Sequence, residues 1–90
     1  MNDAKEFLIH CPILRNGRVL ERLKKMGVPD IEKAPHRFAE QALRVPFSTS
    51  ERLCLMFGLS LAHPDYTVSL WEIRWHISSR ETLDLMARSI

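Results

Sequence analysis

The chain has 90 residues, of which 46% are hydrophobic and 27% charged, and its formal net charge is +2. This length and composition predict one small globular domain over residues 1–90 and exclude a disordered chain. The net charge is too small to indicate a polyanionic partner. Positions 1–44 hold nine Lys and Arg against six Asp and Glu, so an acidic partner is expected to contact the N-terminal half.

The cysteine count, the first residues and the longest apolar run indicate the cellular compartment of the protein. Cys11 and Cys54 are the only two cysteines, too few for a disulfide-rich secreted scaffold. The first residues lack the basic start and the apolar run of a signal peptide. The longest apolar run, residues 53–62, is about half the length of a membrane span. We therefore expect a cytoplasmic protein with reduced cysteines and no membrane contact.

Residues 18–26 predict the first helix, because apolar residues recur on one helical stripe there. Gly27 follows as a left-handed C-terminal cap, and Pro29 prevents the helix from continuing. A β-hairpin that turns at Asn16-Gly17, between residues 7–14 and 18–23, is the competing interpretation. The lysines and the glycine cap favour the helix.

Basic side chains recur along this segment about once per helical turn. On a helix they form a positive ridge opposite the apolar stripe, and such a ridge suits phosphates or an acidic protein. A solvated helix face is the simpler explanation. We define the basic ridge as Arg15, Arg18, Arg22, Lys24 and Lys25.

Two further helices are predicted in the middle of the chain. One begins at Pro35, and Pro46 ends it. The next opens with a capping box at residues 48–51 and covers residues 49–62, which are apolar on nearly every side and belong in the centre of the fold. A helix-turn-helix is disfavoured, because the second of these helices lacks polar side chains for reading bases.

Residues 69–77 change period, with large apolar residues at every second position, which predicts a half-buried strand. Its pairing partner is either residues 6–11 or the same strand of a second copy. On such a strand the four large apolar side chains of this segment project from one side. They are expected to form an association surface, most simply the contact between two copies of a homodimer. Packing on the 49–62 helix within one chain is the alternative. The four residues are Trp71, Ile73, Trp75 and Ile77.

A second capping box at residues 78–81 predicts a final helix that docks through Leu83, Met86, Ala87 and Ile90. The fold class is therefore mainly α, with about four short helices and at most a small two-stranded β element that includes the strand near 69–77.

Sites of catalysis and metal binding are not expected. No two candidate ligands fall at the short paired spacings of zinc sites. Cys54 lies in the most apolar stretch, where burial raises a thiol pKa and suppresses reactivity. The three glycines are too far apart for a phosphate loop. The candidate metal ligands in the sequence are His10, Cys11, His36, Cys54, His63 and His76.

These observations predict a non-catalytic protein-interaction module without a cofactor, such as an adaptor, an inhibitor or a subunit of an assembly. The alternative is a nucleic-acid-binding regulator that uses the basic ridge.

Overall fold

The structure, a computed structural model, describes residues 3–89, without the side chains of Asp3, Pro29 and Leu43. Over these residues the fold is all α, with no strand, which confirms the mainly α class. The described residues form six helices instead of the predicted number of about four. They are α1 (Asp3–His10), α2 (Gly17–Lys25), α3 (Pro35–Leu43), α4 (Thr49–Ala62), α5 (Leu70–His76) and α6 (Arg80–Arg88). Short 3-10 turns, Pro12–Leu14 and Val28–Asp30, follow α1 and α2.

Helix α4 is the centre of the molecule, and its bounds match the prediction. The capping box forms as expected: Ser48 Oγ accepts from the Glu51 amide at 3.2 Å, and Glu51 Oε1 accepts from the Ser48 amide at 2.9 Å. Six residues in the middle of α4 are buried. Helix α1 packs along α4 and reaches Gly58, where an added Cβ would lie 2.7 Å from Leu8 side-chain atoms.

Helix α2 confirms the helical interpretation of residues 18–26 and excludes the hairpin. Asn16 caps its first turn, since Asn16 Oδ1 accepts from the Arg18 amide at 3.1 Å. Gly27 follows its end with φ of 102°, the left-handed conformation predicted for the cap. Residues 6–11, proposed as a partner strand, lie mostly in α1.

The strand prediction for residues 69–77 is wrong, because most of this segment forms α5. Ser69 caps α5 by accepting from the Glu72 amide at 3.4 Å. Ile73 and Ile77 are four residues apart, so a helix points both into the core, where they are 5% and 2% exposed. A helix also satisfies its backbone amides internally, whereas a lone strand requires a partner.

Helix α6 begins one residue later than the predicted capping box. Its N-cap is Ser79, whose Oγ accepts from the Thr82 amide at 3.3 Å and from Thr82 Oγ1 at 3.0 Å. Met86 is buried and Leu83 half-buried, as predicted for the docking face, but Ala87 is exposed and Ile90 lies outside the described residues. None of the helices within residues 3–89 is long and apolar enough to span a bilayer.

Candidate functional site

The outer side of α5 carries the most exposed large apolar side chains of the described residues. We define the aromatic face as Leu70, Trp71 and Trp75, which are 75%, 68% and 72% exposed. The two indoles, four residues apart, stack with their ring centroids 5.5 Å apart and their planes 3° from parallel. The stack leaves both rings open to solvent on their outer sides.

The helix separates the four residues predicted to form one association surface. Ile73 and Ile77 lie in the core, whereas Trp71 and Trp75 point away from it. The buried isoleucines fix α5 to the core, and α5 packs against α4. Ser50 Oγ of α4 also donates to the His76 carbonyl at 3.1 Å. The aromatic face therefore stands on an anchored helix, although α5 has only seven residues.

Charged and polar side chains surround the aromatic face. Glu72, Arg74 and His76 of the same helix are exposed. An apolar centre with a polar rim is the usual arrangement of a protein–protein contact. The strand-edge argument for a homodimer no longer applies, because the backbone amides of α5 are used within the helix. Only the exposed apolar side chains now support association.

All five residues of the basic ridge are exposed, but they do not form one continuous positive face. Four lie on α2, whereas Arg15 precedes it and borders a shallow cleft that includes Glu81 and Asp84. Arg18 and Arg22 border a second cleft that includes Glu51. Lys24 and Lys25 border a third, with Arg37 and Asp30. Every one of these clefts therefore contains a carboxylate, which dilutes the positive potential.

The fold also assembles a polar cluster that the sequence spacing did not reveal. His36 lies in the first turn of α3, His63 is the C-cap of α4, and Asp65 and Tyr66 follow it. One ligand atom from each of His36, His63 and Asp65 lies within 4.8 Å of the other two. His63 and Asp65 are neighbours in sequence, but only the tertiary fold brings His36 to them.

Two buried thiols form a second arrangement that sequence spacing did not reveal. Cys11 and Cys54 are both free and fully buried. A hydrogen bond from the Cys54 thiol, together with the amides of Leu14 and Ile13, lowers the pKa of Cys11 to about 7 against the opposing effect of burial. Donating that hydrogen bond and burial both raise the pKa of Cys54, in the direction predicted from its apolar surroundings.

Comparison of this chain with protein-family models, with curated proteins and with solved structures finds no match.

Proposed function

We propose that this protein is a non-catalytic protein-interaction module that binds its partner through the aromatic face. The observation that carries the proposal is the exposure of Trp71 and Trp75. The other large apolar side chains of the described residues are buried or half-buried, apart from Leu70 of the same helix. A large exposed apolar patch is more informative than a single exposed residue, because it marks a binding surface. Tryptophan is also the residue type most enriched in binding hot spots.

The size of the aromatic face favours a partner with a groove over a flat symmetric contact. Two tryptophans exposed to this degree offer roughly 350 Å² of surface per chain. A symmetric homodimer built on the two indoles alone would bury about 700 Å², below the roughly 1,200 Å² of a stable interface. A partner whose groove encloses both indoles and meets the charged rim buries more. The homodimer remains the competing assembly.

The test compares three forms of the full chain as bait in nuclease-treated lysate. We expect the wild type to capture a defined protein that the double variant Trp71→Ser/Trp75→Ser loses. The matched control is Glu32→Ser/Lys33→Ser, which changes two exposed residues outside both the aromatic face and the basic ridge and is expected to retain that protein. If Trp71→Ser/Trp75→Ser captures the same proteins as the wild type, the aromatic face is not the contact.

Light scattering after size exclusion separates the two assemblies. At tens of micromolar we expect the wild type to be a monomer, in keeping with the small area of the aromatic face. A dimer that Trp71→Ser/Trp75→Ser converts to a monomer would instead support the homodimer.

Nucleic-acid binding through the basic ridge is the second candidate, favoured by the exposure of all five cationic side chains. Nucleic-acid binding through this ridge is recognised by an affinity that falls as the salt concentration rises. If all five contact phosphates on duplex DNA, the logarithm of the affinity falls with the logarithm of salt concentration with a slope of about −4.5. Arg18→Glu/Arg22→Glu should then abolish binding to a labelled duplex. Binding that is weak at low salt and unchanged in the variant would exclude this candidate.

A further inference from the structure

The side chains of His36, His63 and Asp65 converge from two separate parts of the fold. His36 Nε2 lies 3.9 Å from Asp65 Oδ2, and His63 Nδ1 lies 3.6 Å from the same oxygen. The two imidazole rings meet edge to face with centroids 4.9 Å apart. Two imidazole nitrogens and one carboxylate oxygen therefore surround a common point at the junction between the start of α3 and the end of α4.

From this geometry we propose that His36, His63 and Asp65 form a binding site for a divalent transition metal of the zinc class. Imidazole and carboxylate ligands suit Zn²⁺, which binds nitrogen and oxygen at about 2.0–2.2 Å. Ligand atoms around a tetrahedral zinc ion then lie about 3.3 Å apart. The observed limit of 4.8 Å requires a closure of roughly 1.5 Å at most, which side-chain rotation can supply. Three protein ligands leave the fourth position for water.

Tyr66 supplies an outer contact that orients one of the ligands. Its hydroxyl lies 2.6 Å from His36 Nδ1. With Nε2 of His36 on the metal, Nδ1 carries the proton and donates it to the Tyr66 oxygen. A ligating histidine usually donates its second ring N–H in this way, which holds the ring in orientation. The Tyr66 contact therefore already positions the His36 ring for coordination through Nε2.

The Nδ1 atom of His63 faces Asp65 and accepts a hydrogen bond there. The backbone amide of Asp65 donates to His63 Nδ1 at 3.1 Å, so this nitrogen is the unprotonated one in the neutral ring. A metal ion would take over that lone pair in place of the amide. Without a metal, the contacts among these three side chains lie at the protein surface, where polar contacts contribute little to stability. The arrangement is therefore better suited to holding a cation than to stabilising the fold.

Titration of the full chain with Zn²⁺ against a chromogenic chelator, and with Co²⁺ followed by its visible absorption, tests the site. We expect one ion per chain. The variants His36→Gln, His63→Gln and Asp65→Asn should each weaken binding by more than tenfold, since even outer-contact substitutions typically cost about 10–100-fold. Tyr66→Phe should weaken it by about tenfold while the stoichiometry stays at one.

The matched control is His10→Gln, because His10 is also exposed and lies 3.2 Å from a carboxylate, that of Glu6, but has no second histidine in its cluster among the described residues. It should bind metal as the wild type does. Circular dichroism confirms that each variant is folded. Wild-type binding no tighter than that of folded His63→Gln, or equal losses in His10→Gln and the cluster variants, would overturn the site. Trp71→Ser/Trp75→Ser should bind metal as the wild type does, so the test of the metal site is independent of the test of the proposed function.

Discussion

The chemical properties of some residues in this protein depend on neighbours that are distant in sequence. The buried pair of Cys11 and Cys54 is the clearest case. The Cys11 thiolate would be held by the Cys54 thiol and by two backbone amides of the turn that follows α1. Cys54 alone would be an inert apolar residue, as its position in the sequence indicates. The pair thus has one cysteine that is easier to ionise and one that is harder, although neither is exposed.

This pair predicts a pH dependence of stability. The pKa of Cys11 is about 7 in the folded state and 9.0 for a free thiol, so between these values the unfolded chain holds more protons. Stability should therefore rise with pH from about 7 to 9. Above pH 9 the raised pKa of Cys54 acts in the opposite sense, and stability should fall again.

Urea denaturation under reducing conditions measures this effect. The quantity to follow between pH 6.5 and 9 is the difference in unfolding free energy between the wild type and Cys11→Ser, in which the titrating groups that do not contact Cys11 cancel. A difference that stays constant over this range would contradict the ionisation of Cys11.

At the scale of the helices, the two faces of α5 have different roles: one packs in the core and the other faces solvent. Ile73 is buried against the core, whereas Trp75 stands in solvent. We expect Ile73→Ala to lower the unfolding free energy by about 2–4 kcal/mol. Trp75→Arg should change it by less than about 0.5 kcal/mol, since exposed substitutions are usually near neutral. Thermal melts of both variants decide this, and unfolding by Trp75→Arg would place the indole in the core.

The contact between α1 and α4 gives a second prediction at this scale. Gly58→Ala places a methyl group 2.7 Å from the fully buried Leu8 side chain, and such overpacking costs about 1–3 kcal/mol. In a Leu8→Ala background the space is open, and the same substitution should be neutral or stabilising because alanine favours helix. A double-mutant cycle of urea melts measures the coupling, and additive effects would show that the helices do not meet at Gly58.

For the whole molecule, local signals in the sequence predicted more of the fold than of the sites. The cap at Gly27 and the box at residues 48–51 are local signals, so α2 and α4 were correctly placed. The period of residues 69–77 was misleading, because apolar residues at every second position also form pairs four residues apart on a helix. The cluster around His36 and the Cys11–Cys54 pair depend on tertiary contacts, and no spacing along the chain contains them.

The centre of the molecule provides the last prediction. Leu55 lies in the buried middle of α4 and is 2% exposed. Leu55→Asp loses a buried side chain, at a cost of about 2–5 kcal/mol, and places an unpaired carboxylate in apolar surroundings. A 90-residue domain has on the order of 5 kcal/mol of stability, so this variant should be unfolded at 25 °C by circular dichroism. The control is Thr49→Asp, which puts the same carboxylate at the exposed start of α4, where the helix dipole favours it. A cooperative melt of Leu55→Asp that matches the control would show that α4 is not the centre of the core.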